Sequence, residues 1–194
     1  MFSQPQNVTF ESPPWVQDFS RSYVTTTDIR ERMKFVIKAA GKNVEEKTGG
    51  PFAAAIFESD SGRLISLGVN LVITQGLSIL HAEIVAIVIA QIKLKTYDIG
   101  GMSMANHELV SSTEPCAMCL GAIPWSGVRR VVTAAFDQDA RSMGFDEGPK
   151  PENWIRALTD RGIDVITNIE RDSARSVLQS YLDNDGCIYN ARAG

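Results

Sequence analysis

Two short stretches, His81-Ala82-Glu83 and Pro115-Cys116-Ala117-Met118-Cys119, whose first cysteine lies 33 residues beyond the glutamate, decide how this chain is read. On a helix, residues two apart point to nearly opposite sides, so His81 and Glu83 cannot both reach a metal lying against a helix flank. A metal held by this histidine must sit off the helix end, with His81 at the start and Glu83 in the first turn. The carboxylate then faces water on the metal rather than the ion itself. Cys116 and Cys119, three apart, share one face of a first turn, which suits two thiolates binding one ion. Free amides and the positive end of the helix dipole favour thiolate at such a position. One histidine and two cysteines leave a fourth tetrahedral position open, the arrangement of a catalytic rather than a structural zinc site. Two thiolates offset the charge of the ion and leave its water weakly acidified, so a base is needed nearby, and Glu83 supplies it. The ligand set prefers zinc over iron or cobalt.

The elements around these stretches follow from hydrophobic pattern and breakers. Leu80 to Leu94 is apolar apart from His81, Glu83, Gln91 and Lys93, which predicts a buried helix opened by the first motif. Upstream, Thr25-Thr26-Thr27-Asp28 caps a predicted helix running to about Glu46, and Gly49-Gly50 ends it. Pro51 to Phe57 and Leu64 to Val72, joined by Ser59-Asp60-Ser61-Gly62, read as an antiparallel hairpin. Downstream, strands are expected at Leu109 to Ser112, Val128 to Ala135 and Ile163 to Thr167, with helices starting at Cys116 and Asp172. Phe136 to Trp154, broken by Gly144, Gly148, Pro149 and Pro151, reads as a long loop of the functional kind. The pattern predicts an α/β fold: a three-layer α/β/α domain around a mixed sheet of about five strands. Residues 1–24 read as an N-terminal arm, 25–182 as the domain and 183–194 as a C-terminal tail.

Composition narrows the function classes. A chain of 194 residues that is 44% hydrophobic buries one full core. The net charge of −4 argues against a broad nucleic-acid surface, which needs clustered Lys and Arg, and favours a small substrate. Three cysteines, two of them committed to the motif, fit a reducing, cytoplasmic compartment. Neither a signal peptide nor a membrane span is expected. Of the two histidines, His107 is expected at a strand start or on the surface, and it is no rival ligand by spacing.

The His-x-Glu and Pro-Cys-x-x-Cys pair resembles the signature of zinc nucleobase deaminases, a pattern noted for that class. Over nearly its whole length the chain resembles the cytidine-deaminase-like superfamily and, within it, the guanine deaminase branch. Gly49-Gly50-Pro51-Phe52-Ala53 resembles that branch's strand start, where Phe52 would stack beside a purine. Asn70, eleven residues before His81, matches the asparagine that hydrogen-bonds the ring, and Ala82 is placed against the substrate as well. Trp125, six after Cys119, matches an aromatic wall of the pocket. Glu147, 28 after Cys119, falls where the branch carries an acid that shuttles protons to the leaving amine, with Asp146 as its rival. The resemblance also implies that the tail closes over the active site, with Tyr189 as lid, in a homodimer that can exchange C-terminal segments.

Each of these residues has a plainer reading. Phe52 and Trp125 could fill core, Asn70 could terminate a strand, and Glu147 could be a solvated acid in a Pro/Gly loop. The expected reaction is zinc-dependent hydrolytic deamination of an aminopurine, guanine to xanthine and ammonia leading. Guanosine, ammeline and cytosine are alternative substrates. A tRNA adenosine substrate is disfavoured by charge, and a non-catalytic purine-binding protein by the intact ligands and Glu83.

Overall fold

The computed structural model describes residues 3–191, so the last residues of the predicted tail, Arg192 to Gly194, lie outside it. In chain order the elements are α1 (Pro14–Arg21), α2 (Ile29–Glu45), β1 (Ala53–Glu58), β2 (Leu64–Val69), α3 (Val72–Gln75), α4 (Ala82–Leu94) and β3 (His107–Thr113). They continue with α5 (Ala117–Ser126), β4 (Arg130–Ala135), α6 (Asp137–Ser142), α7 (Trp154–Thr159), β5 (Asp164–Ile166) and α8 (Arg171–Asp183).

The strands form one five-stranded sheet in the order β2-β1-β3-β4-β5. β1 pairs antiparallel with β2 and with β3, whereas β3–β4 and β4–β5 are parallel. This mixed sheet is the one the sequence predicts: a hairpin first, then strands returned in parallel by intervening helices.

Alternation along β1 divides the core into two layers. Ala53, Ala55 and Phe57 face a cluster with Met33, Val36 and Ala40 of α2 and Ala174 and Leu178 of α8. Ala54 and Ile56 face the opposite cluster, with Ala86 and Ala90 of α4, Leu120 and Ile123 of α5 and Leu158 of α7. Small residues on both sides let the helices approach closely. A side chain at Gly68 of β2 would overlap the Ala82 carbonyl and the Ala86 amide, so this glycine sets how near α4 lies to the sheet. Because α4 carries His81 and Glu83 at its start, that spacing also sets the depth of the site.

Three expectations change. The N-terminal arm contains helix α1, which packs through buried Val16, while Phe19 stacks on Phe35 with ring centroids 4.9 Å apart. Its scattered aromatics are tertiary contacts rather than a periodic face, which hid the helix. His107 does start a strand, but it is buried rather than on the surface, its Nδ1 2.7 Å from the Ile99 carbonyl. The predicted loop after β4 begins with α6, where Asp139 accepts from the Phe136 amide at 2.8 Å and binds Arg171 of α8. Among the described residues no helix is long and apolar enough to cross a membrane.

Candidate active site

His81 is the N-cap of α4, in extended conformation, and Glu83 lies in its first turn. Cys116 is likewise the N-cap of α5, with Cys119 one turn in. α5 follows β3 directly and α4 follows β2 by way of α3, and the two helix starts meet. The Cys116 Sγ lies 3.4 Å from His81 Nδ1, and the ligand atoms of His81, Cys116 and Cys119 are all within 4.8 Å of one another. Ligands bound tetrahedrally to one zinc stand roughly 3.5–3.8 Å apart, so the set fits the ion with small adjustment. His81 Nδ1, Cys116 Sγ and Cys119 Sγ would hold it.

The two thiols are not equivalent. A hydrogen bond from Cys119, together with His81, outweighs burial and brings Cys116 down to about 4. That same bond and burial push Cys119 well above the ordinary thiol range. Without metal the two thiols therefore differ in acidity, and zinc must displace the Cys119 proton on binding. The Cys119 thiol donates to Glu83 Oε2 at 3.4 Å. Burial, aided by the negative charge of Cys116, raises the Glu83 pKa. Burial alone would lower the His81 imidazole, but Cys116 and Glu83 offset it and the net shift is upward.

These groups open into a cavity of about 420 Å³ lined also by Phe52, Asn70, Ala82, Glu147 and Tyr189. Asn70 is buried, its backbone carbonyl bound by the Asn43 side chain at 3.0 Å. Asn43 also donates to the Gly50 carbonyl at 2.8 Å, so one fully buried amide ties the Phe52 segment to Asn70. The Tyr189 hydroxyl sits 2.8 Å from His81 Nε2 and accepts from Asn70 Nδ2 at 3.3 Å. With Nδ1 facing the metal position, Nε2 carries the proton, and Tyr189 is the outer partner that fixes the ring.

Glu147 is buried at 7% exposure, and burial followed by the negative charges of Cys116 and Glu83 raises it to about 8. Its rival Asp146 is exposed, and its carboxylate already accepts from the Gly148 amide at 2.9 Å. Trp125 does not line the cavity: it stands 84% exposed near the end of α5, two turns beyond Met118, which does line it. Sequence reasoning missed Phe145, whose ring packs edge-on against Phe52 at 4.9 Å, and Glu114. Glu114 accepts from the Asp137 amide and from Lys150 Nζ, each at 3.1 Å, and so fastens both stems of the loop that carries Glu147. Its position next to Pro115-Cys116 was the available signal.

Residues 26–135 match the family model for the cytidine and deoxycytidylate deaminase zinc-binding region. The chain belongs to this deaminase family. Guanine deaminase from Nitrosomonas europaea superposes with a TM-score of 0.88 at 42% identity, over 93% of this chain and 98% of that one. The Bacillus subtilis guanine deaminase is 37% identical over 115 residues, 59% of this chain and 69% of that protein. A tRNA-specific adenosine deaminase of Buchnera aphidicola is 28% identical over 152 residues, 78% of this chain and 92% of its own.

Proposed function

We propose that the protein hydrolytically deaminates an aminopurine, guanine to xanthine and ammonia being the leading case. The observation that carries this reading is the meeting of Glu83, the His/Cys/Cys set and the buried acid Glu147 in one cavity, in a chain similar along nearly its full length to a guanine deaminase.

Zinc bound by His81, Cys116 and Cys119 supplies an electrophilic centre that acidifies water. Glu83 removes a proton from the water attacking C2 and returns it to ring nitrogen N3. Glu147, held protonated at neutral pH by its burial, gives a proton to the departing amine. Asn70 binds the ring edge, Phe52 and Ala82 form its walls, and Tyr189 covers it.

Ammonia release by the zinc-loaded protein is measured against guanine, guanosine, ammeline, cytosine and adenine, with Glu83→Gln as control. Guanine turnover that falls about 10⁴-fold in the variant while zinc stays bound is the expected result. Full activity in the variant overturns the mechanism. Preference for another amine moves the substrate, and no release from any of them points to purine binding without turnover. The likeness to a tRNA deaminase favours an RNA substrate, but the net charge of −4 opposes it. Added tRNA is expected to change neither migration nor rate.

Exposed Met118 and Trp125 on α5, with Ile73, Leu77 and Ile79 on and after α3, support a homodimer. Free cysteines throughout fit a reducing compartment such as the cytoplasm.

A further inference from the structure

The Glu147 carboxyl is buried, and among the described residues no side chain hydrogen-bonds to it. Its aim is set by the backbone that carries it. That backbone belongs to a loop with two glycines at positive φ, Gly144 at 99° and Gly148 at 69°. The stems of the loop are braced. Glu114 holds Asp137 and Lys150, Arg141 donates to the Gly148 carbonyl at 2.8 Å, and the Ala117 amide donates to the Glu147 carbonyl at 2.9 Å. Its tip, residues 144–146, is held from the tail. The Asn190 carboxamide accepts from the Asp146 amide at 3.0 Å and donates to the Gly144 carbonyl at 2.9 Å. One donor and one acceptor on a single group copy what a neighbouring peptide offers in a sheet, so the side chain pairs with the tip as a strand would.

We propose that Asn190 is a positioning residue that aims the proton-donating Glu147 by clamping the loop tip, so that docking of the tail and placement of the acid are one event. The proposal rests on the role given above to Glu147. The adjacent Tyr189 supports it: the same two-residue stretch touches His81 and Asn70 with one side chain and the acid's loop with the next. Asn190 is half-buried and distant from the two main core clusters, so its replacement leaves the fold standing.

The test has two arms. Hydrogen–deuterium exchange of the peptide spanning residues 143–150 is compared between the parent protein and Asn190→Ala. Exchange about tenfold faster in that peptide, with α4 and α5 unchanged, is expected; unchanged exchange overturns the clamp. The second arm is a double-mutant cycle on ammonia release. Asn190→Ala is expected to lower kcat roughly 10- to 100-fold with little change in KM, since misplacing a reacting group has costs of that order. In a Glu147→Gln background the same change should lower kcat less than about twofold, because the group it positions is gone. Equal losses in both backgrounds overturn the proposal. If the parent protein deaminates none of the candidate amines, the functional reading fails by itself and the exchange arm still decides the clamp.

Discussion

His81, Glu83, Cys116 and Cys119 stand at the starts of two helices whose apolar faces are sunk in the core, whereas Glu147, Tyr189 and Asn190 stand on a glycine-hinged loop and a tail. The helix-borne half fixes the metal position through elements that move only if the core moves. The loop-borne half reaches the same cavity through a few hydrogen bonds to backbone and ring atoms. This division separates two demands: ligand geometry tolerates little drift, while a cavity that closes over a substrate must also open. It also predicts that variants in the two halves fail differently. Changes to the ligands or the packing of the first should disturb metal or stability, whereas changes at Glu147 and Asn190 should spare both and alter turnover.

The largest effect is expected at the helix-borne half. Cys116→Ala should lower zinc content and reduce ammonia release by more than about 10³-fold, because the ion organises both water and substrate. Gly68→Val should act on the same half from behind. Its side chain would overlap the backbone of Ala82 and Ala86, pushing α4 from the sheet and costing about 1–3 kcal/mol of stability as overpacking does. Elemental analysis and thermal unfolding check these outcomes. A Gly68→Val protein with normal stability and zinc content would break the contrast, since it would show that α4 is free to shift.

The same contrast explains what the chain disclosed before its structure was seen. His81, Glu83, Cys116 and Cys119 lie in local spacings dictated by helix geometry, so their placement at two helix starts is legible in the sequence, as are the mixed sheet and the hairpin. Asn70 and Phe52 became legible through family resemblance, and the structure adds the buried Asn43 that joins their segments. Trp125 misled because its spacing from Cys119 says nothing about how far along α5 the cavity reaches: Met118, two turns earlier, lines it and Trp125 does not. His107 stands at a strand start as expected, but a lone polar residue there gives no sign that it is buried or that the Ile99 carbonyl waits in the core. Asn190 had no signal at all. Its partners lie 44 and 46 residues away on backbone atoms, which no side-chain pattern records.

At the loop-borne half, Glu147→Gln should lower kcat about 10²-fold, within the range of lost general acid catalysis, with zinc content and unfolding temperature unchanged. The pH dependence follows from the raised pKa. Glu147 is neutral and able to donate below about 8 and is a carboxylate above it, so kcat should fall as pH rises through that value, while the acid limb belongs to the base Glu83, whose pKa is also raised. Bound zinc offsets the Cys116 charge and leaves burial as the main cause, so the decline should sit at or somewhat below about 8. The variant cannot titrate, and its alkaline decline should vanish. A decline that persists unchanged in Glu147→Gln would transfer the acid role to another group.

The smallest effect is expected at Tyr189, which touches both halves. Its hydroxyl oxygen receives His81 Nε2 and Asn70 Nδ2. Tyr189→Phe removes that acceptor but keeps the ring that covers the cavity. Outer partners of metal-binding histidines contribute about 10- to 100-fold in affinity, and water from the cavity can replace this one, so zinc retention against a chelator should weaken by about tenfold at most. Burial keeps the hydroxyl protonated far above neutral pH, so no new pH dependence should appear. If zinc retention is unchanged and KM for guanine rises instead, the hydroxyl serves Asn70 and the substrate rather than His81. Tyr189 would then belong wholly to the loop-borne half, and the boundary between the halves would run between the tyrosine and the metal.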